Sequence, residues 1–169
     1  LRKVKCIPAA RIVSRLALGI ALVCFIVILN GITWYRYSYK IEQETVCIKT
    51  LPDSFNGFRI VQLTDLHLGS YGKHYPGITK LVDEVNRLNP DLIVFTGDMV
   101  NSFASEMDPW IETLKKLKAK YGKYATTGNH DYGTYVKWPT KTDQENNLKQ
   151  LFKNMEQADF VMLNNTNVP

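Results

Sequence analysis

Hydrophobic and polar positions follow two alternating patterns along most of the chain. Short apolar runs bounded by turn residues predict buried strands, which we place at 58–64, 92–95, 123–127 and 160–163. Between these runs, apolar residues recur at three- and four-residue spacing and predict helices at 76–88, 108–121 and 142–155. The order strand, helix, strand, helix, strand, helix, strand predicts an α/β layer with a largely parallel sheet.

Local signals refine the ends and faces of these elements. Residues 142–145 have the form of a capping box and predict the start of the third helix. The alternating segment 45–49 predicts an additional strand before the first one. In the second helix, the residues expected to face inward are Trp110, Leu114, Leu117 and Tyr121. The lysines expected on its solvated face are Lys115, Lys116, Lys118 and Lys120.

A long apolar segment precedes the α/β pattern. No polar side chain occurs from Leu16 to Leu29, and the segment continues to Trp34, giving roughly the 20 residues that a helix needs to cross a bilayer. Five basic residues precede this segment and two follow it, which predicts a cytoplasmic N-terminus and a globular part outside the cytoplasm. A cleaved signal peptide and a buried core helix are the alternatives. We favour an uncleaved anchor because no small-residue cleavage site follows the segment.

The net charge of +5 comes from the N-terminal segment. Residues 1–40 carry seven Lys or Arg and no acidic residue, whereas the remainder carries fourteen basic and sixteen acidic residues. A basic nucleic-acid groove in the globular part is therefore disfavoured. The cysteines, Cys6, Cys24 and Cys47, have no metal-binding spacing, and we interpret them as free thiols. The chain begins with Leu1 and ends at Pro169, and we expect both ends to be cuts in a longer protein.

Polar motifs follow three successive predicted strands. The first contains Asp65 and His67, the second Asp98, and the third Asn129 and His130. Because the loops at the carboxyl ends of parallel strands converge, we expect these side chains to meet. Carboxylate and amide oxygens combined with imidazole suit Zn, Fe or Mn, and a central Asp98 could bridge two cations. Taken singly, the Asp65–His67 pair could be a satisfied buried pair, and Asn129 could cap a turn.

In order along the chain, the motifs read D-x-H, G-D and G-N-H-D, with 29 residues separating each from the next. This pattern resembles the calcineurin-like metallophosphoesterase superfamily, and residues 45–169 are especially similar to its bacterial membrane-anchored branch. The resemblance implies the N-terminal half of a four-layer α/β/β/α sandwich, preceded by one transmembrane helix. We expect residues 1–40 to form a basic tail and anchor, and residues 41–169 to form a metallophosphoesterase domain truncated at its C-terminus.

The resemblance also implies roles for individual residues. The implied ligands of two divalent ions (Mn, Fe or Zn) are Asp65, His67, Asp98 and Asn129. Asp65 and His67 would bind the first ion, Asn129 the second, and Asp98 both. A metal-bound hydroxide would attack the phosphorus in line. His130 would protonate the leaving group or stabilise transition-state charge, and Asp131 would orient His130, although an ordinary helix cap is the alternative for Asp131.

The histidine content departs from the family pattern. The family needs two further histidine ligands, and besides His67 and His130 the chain has only His74, which matches no family ligand and which we expect to be exposed. We expect the missing ligands beyond Pro169 and the fragment alone to be inactive.

The resulting hypothesis is a membrane-anchored, binuclear metal-dependent phosphohydrolase acting on a phosphorylated small molecule or a lipid-linked substrate. The alternative is a non-catalytic membrane scaffold that keeps the fold. The full set of polar motif residues argues against the scaffold. A nuclease of the same fold is weakened by the acidic balance of the globular part.

Overall fold

The computed structural model describes residues 7–33, 35, 38–73 and 75–167. The chain divides into two compact units, residues 1–47 and 48–169.

The first unit contains one long helix, α1 (Ile7–Thr33). Its side chains from residue 10 to 33 are exposed, unlike those of a buried core helix. The part from Ala10 to Thr33 is long and apolar enough to cross a membrane, by the criteria of length and composition that a signal sequence also meets. Beyond the helix, the strand predicted at 45–49 is wrong. Residues 45–48 have no regular structure and are exposed, since no described segment pairs with their backbone.

The second unit is built on a parallel sheet of four strands in the order β1-β2-β3-β4. The strands are β1 (Ile60–Leu63), β2 (Leu92–Phe95), β3 (Lys123–Ala125) and β4 (Phe160–Met162). The helices that connect them are α2 (Gly77–Arg87), α3 (Ile111–Leu114) and α4 (Lys141–Gln157). This arrangement confirms the predicted α/β fold with its parallel sheet.

The two faces of the sheet differ in burial. One face carries Leu63, Ile93, Phe95, Ala125 and Phe160, which are buried with the apolar side chains of all three helices. Consecutive parallel strands joined by right-handed crossovers place their helices on the same side, which explains this burial. On the opposite face, Ile60 is 57% exposed and Val161 is 46% exposed. That face is open among the described residues.

The prediction for the second helix needs correction. The second helix is shorter than expected: a 3₁₀ turn, Asp108–Trp110, leads into the single turn of α3. Trp110, Leu114 and Leu117 are buried as predicted, but Tyr121 is 53% exposed, because the helical period ends before it. The four lysines predicted on the outer face are exposed.

The capping box of α4 lies two residues earlier than predicted. The Thr140 hydroxyl accepts a hydrogen bond from the backbone N–H of Asp143 at 3.1 Å, and the Asp143 carboxylate accepts one from the N–H of Thr140 at 3.1 Å. The two reciprocal bonds satisfy amides that have no partner within the helix. The helix therefore begins at Lys141.

A buried lysine joins the sheet to the ends of two helices. Lys123 lies on the core face of β3, and its Nζ donates to the carbonyls of Leu114 and Lys115, each at 3.3 Å, and of Ala158 at 2.7 Å. These carbonyls belong to helix ends, where backbone oxygens lack intrahelical partners. Burial lowers the pKa of Lys123, and the nearby Asp159 charge partly opposes this effect.

We expect Lys123→Met to lower the free energy of unfolding by about 2–3 kcal/mol, because methionine keeps the bulk but leaves the carbonyls of Lys115 and Ala158 without this donor. Urea unfolding of the full-length protein in detergent micelles, followed by tryptophan fluorescence, measures the loss. Lys118→Met, on the exposed face, is the matched control and should change stability by no more than about 0.5 kcal/mol. Equal stability of the two variants would contradict the proposal that Lys123 joins the sheet to the ends of the two helices.

Candidate metal centre

The three motif loops meet at the carboxyl edge of the sheet. The N–H groups of Asp65 and His67 donate to the carbonyls of Gly97 and Asp98, each at 3.0 Å. From the third loop, the N–H of His130 donates to Asp98 Oδ1 at 2.8 Å. Asp98 therefore contacts both neighbouring motifs, as expected from the convergence of parallel strand ends.

The backbone at this edge adopts conformations that side-chain-bearing residues seldom take. Asp65, His67 and Asp98 have φ values of 55°, 46° and 59°. Positive φ is uncommon outside glycine and clusters at functional sites, where the surrounding structure holds it in place. Three such residues within two motifs point to a site rather than to ordinary turns.

Two glycines allow the second and third loops to touch. A Cβ at Gly97, whose φ is 107°, would lie 2.4 Å from the backbone nitrogen of Gly128. A Cβ at Gly128 would lie 2.3 Å from Asp98 Oδ1. Both distances are shorter than van der Waals contact, so larger residues would push Asp98 away from the third loop.

A compact group of potential ligands lies between the loops. His67, Asp98 and His130 each offer one ligand atom, and these atoms lie within 4.8 Å of one another. The two imidazole rings meet edge to face, with centroids 4.7 Å apart. Asp65 Oδ1 lies 3.6 Å from His67 Nε2, so the carboxylate borders the same group. Its other oxygen accepts a hydrogen bond from the Thr64 hydroxyl at 2.6 Å.

The chemistry of this group fits a divalent cation. Among the described residues, no lysine or arginine forms an ion pair with Asp65 or Asp98. Two carboxylates and two imidazoles without a cationic side chain are the donor set that Mn, Fe or Zn prefers. Ligand bonds of about 2.1 Å place opposite ligand atoms about 4.2 Å apart, close to the spread of the observed group.

The His130 ring is held by a backbone carbonyl. Its Nδ1 lies 2.9 Å from the carbonyl oxygen of Asn101. A carbonyl only accepts, so Nδ1 carries the proton and Nε2 remains for a ligand or substrate. The Asn101 segment is itself fixed by Glu106, whose carboxylate accepts from the N–H groups of Asn101 at 2.6 Å and Phe103 at 3.1 Å.

Asp131 holds the backbone of the site through three hydrogen bonds. Its Oδ2 accepts from the N–H groups of Asp98 at 3.0 Å and Gly128 at 2.9 Å, and its Oδ1 accepts from Val100 at 3.2 Å. Asp131 is 2% exposed. Burial raises the pKa of Asp131, while the three N–H donors act in the opposite direction. The His130 ring contacts the Asn101 carbonyl, and the role of Asp131 in orienting that ring stays a prediction.

Asn129 lies beside this group on an exposed turn. It precedes the 3₁₀ turn His130–Tyr132, and its Nδ2 donates to the hydroxyl of Tyr135 at 2.6 Å. Tyr135 also stacks on the His130 ring, with centroids 4.4 Å apart and planes inclined by 21°. Sequence reasoning assigned no role to Tyr135, Asn101 or Glu106. His74 lies outside the described residues.

A comparison with protein families agrees with this geometry. Residues 58–167 match the family model described as Calcineurin-like phosphoesterase, a span that includes all three motifs and more than half of the chain. The chain belongs to the calcineurin-like phosphoesterase family. Family membership confirms the resemblance seen in the motifs.

Relatives of this chain occur in animals and bacteria. It is 40% identical over 96 residues to a "transmembrane protein with metallophosphoesterase domain" of Danio rerio, covering 56% of this chain and 22% of that protein. It is 36% identical over 109 residues to the uncharacterized metallophosphoesterase YkuE of Bacillus subtilis, covering 62% and 38%. It is 40% identical over 90 residues to the UDP-2,3-diacylglucosamine pyrophosphatase LpxG of Chlamydia muridarum, covering 51% and 27%.

The matched regions thus span about a fifth to two fifths of the length of these curated relatives. No solved structure matches the chain significantly.

We expect Asp131→Asn to lower the free energy of unfolding of the metal-free protein by about 2–3 kcal/mol. The amide nitrogen would face a backbone N–H, so at least one charge-assisted bond is lost and donors oppose each other. Thermal unfolding of the full-length protein in detergent measures the change. Asp83→Asn on the exposed face of α2 is the matched control. If Asp131 acted only through His130, both variants would be as stable as the wild-type protein.

Proposed function

We propose that the chain carries the metal-binding half of a binuclear, metal-dependent phosphohydrolase. The observation that carries this proposal is the meeting of three motif loops around Asp98, with potential ligand atoms of His67, Asp98 and His130 within 4.8 Å. Membership of the calcineurin-like phosphoesterase family supports the reaction class. We propose residues 41–169 as part of the catalytic domain and residues 1–40 as the tail and anchor.

The proposed ligands divide between two ions. Asp65 and His67 would hold the first, Asn129 would hold the second, and Asp98 would touch both. A bridging carboxylate offsets the repulsion between neighbouring cations, and Asp98 is suited to this because its peptide groups are already fixed by the loops on both sides. Two Mn, Fe or Zn ions, when bound, would supply an activated water and offset charge on a phosphate.

His130 is the proposed proton donor to the leaving group. The Asn101 carbonyl occupies Nδ1, so the ring is held with Nε2 as its exchangeable position. In its protonated form, the ring would offset negative charge on a phosphate and then transfer the Nε2 proton to the departing oxygen. Asp131 supports this step indirectly, because it fixes the backbone on which Asp98 and His130 are mounted.

Further ligands are needed to complete a binuclear site. Among the described residues, His67 is the one histidine proposed as a ligand, and the sheet face opposite the helices is open. We propose that a second sheet packs on this open face and brings additional histidines to the same edge. The matches cover only 22% and 38% of the length of two relatives, which is consistent with a second sheet in the longer protein.

We propose a substrate at or near a membrane surface. The apolar helix from Ala10 to Thr33 supports an anchor, and the excess of basic residues before it favours a cytoplasmic N-terminus with the catalytic unit outside. The similarity to a protein named UDP-2,3-diacylglucosamine pyrophosphatase supports a phosphorylated lipid-linked substrate or a related phosphorylated small molecule.

We expect Asp98→Asn to reduce Mn-dependent phosphatase or phosphodiesterase activity of the full-length protein by at least about 100-fold. The substitution removes one anionic oxygen from the position proposed to touch both ions. Chromogenic phosphate monoesters and diesters, assayed with and without Mn, provide the measurement. Asp83→Asn should retain activity. Metal-independent turnover, or turnover unaffected by Asp98→Asn, would contradict the proposal, and a folded protein that binds no Mn would favour a scaffold.

A further inference from the structure

Tyr135 contacts two residues of the proposed site although it is 63% exposed. Its hydroxyl accepts a hydrogen bond from Asn129 Nδ2 at 2.6 Å. Its ring covers one face of His130 at a centroid distance of 4.4 Å. A single surface side chain therefore contacts both a proposed ligand and the proposed proton donor.

The loop that presents Tyr135 is held by other contacts. Gly133 has a φ of 64°, and a Cβ at this position would lie 2.9 Å from the Trp138 ring. Trp138 Nε1 donates to the carbonyl of Gly133 at 2.6 Å, and its ring packs against Phe103 with centroids 5.3 Å apart. The path of the loop is thus set by Gly133 and Trp138, so a conservative change of Tyr135 should leave it in place.

In this structure the Asn129 amide turns Nδ2 toward the Tyr135 hydroxyl. Oδ1 and Nδ2 lie in one plane, so a partner for Nδ2 also determines where Oδ1 points. Among the described residues, no donor contacts Oδ1, which leaves that oxygen for a cation. Partners of this kind, which hold a ligand side chain in position, are typically worth 10- to 100-fold in metal affinity.

We infer that Tyr135 is a positioning residue that aims the Asn129 oxygen at the second cation through its hydroxyl and holds the His130 ring through its aromatic face. This inference rests on the proposed function, since it needs Asn129 as a ligand. The two contacts are separable by substitution. Tyr135→Phe removes the hydroxyl and keeps the ring, whereas Tyr135→Leu removes both.

The first measurement is a titration of the full-length protein in detergent with Mn²⁺ alone, followed by electron paramagnetic resonance of the free ion. Tyr135→Phe should weaken the weaker class of bound Mn²⁺ about tenfold and leave the tighter class unchanged. Tyr121→Phe is the matched control, because it removes a hydroxyl from a similarly exposed tyrosine that lies before β3, at the other end of the sheet. The control should bind Mn²⁺ as the wild-type protein does.

The second measurement needs no metal and no turnover. Nuclear magnetic resonance of the metal-free protein with ¹⁵N-labelled histidine reports the His130 ring, assigned through His130→Gln. Tyr135→Leu should shift the His130 ring signals because the stacked ring is lost, and Tyr135→Phe should leave them nearly unchanged. A merely structural role for Tyr135 would not produce this division between the two variants.

The outcomes separate the inference from the function on which it rests. Wild-type binding of Mn²⁺ that Tyr135→Phe leaves unaltered would overturn the positioning role while the proposed function stands. Unshifted His130 signals in Tyr135→Leu would overturn the stacking contact. Wild-type protein that binds no Mn²⁺, or binds it equally well as Asp98→Asn, would overturn the proposed function itself.

Discussion

The hydrogen bonds made by Asp98 hold the site together. Its carbonyl accepts from His67, its N–H donates to the carboxylate of Asp131, and its Oδ1 accepts from the N–H of His130. One residue thereby fixes loops that are about 30 residues apart in sequence. Parallel strand order brings the loops to the same edge, but these bonds determine the distance between the side chains. The rest of the proposed chemistry requires that distance.

Several features of the site, taken one at a time, lower the stability of the folded state. Three side-chain-bearing residues hold left-handed backbone conformations, and Asp131 is buried although it carries an acidic group. Each feature is unfavourable by itself, but the N–H groups of Asp98, Val100 and Gly128 compensate the buried carboxylate. The strain is therefore spread over a backbone network, and of the proposed ligands Asp65 and Asn129 are exposed whereas Asp98 is buried. A cation would add attraction for the carboxylates of Asp65 and Asp98, which no described lysine or arginine pairs with.

The sequence allowed the parallel sheet and the meeting of the three motifs to be predicted, because apolar periodicity and parallel topology are strong signals. The predictions that failed did so for physical reasons. The segment 45–49 alternates but finds no pairing partner, and Tyr121 follows the helical spacing of Trp110 although the helix ends at Leu114. The contact of His130 with Asn101 uses a backbone carbonyl, which leaves no trace in residue identity. Tyr135 reaches Asn129 through a turn at Gly133 that spacing alone does not reveal.

The most direct test is the position of bound Mn²⁺ in crystals of the full-length protein, located by anomalous diffraction at the manganese edge. If the three loops form a metal centre, a peak will lie about 2.1–2.3 Å from an oxygen of Asp98 and within bonding distance of His67. The binuclear proposal requires a second peak about 3.5–4 Å from the first, also in contact with Asp98. Anomalous peaks located elsewhere on the protein, with none beside Asp98, would contradict this interpretation of the site.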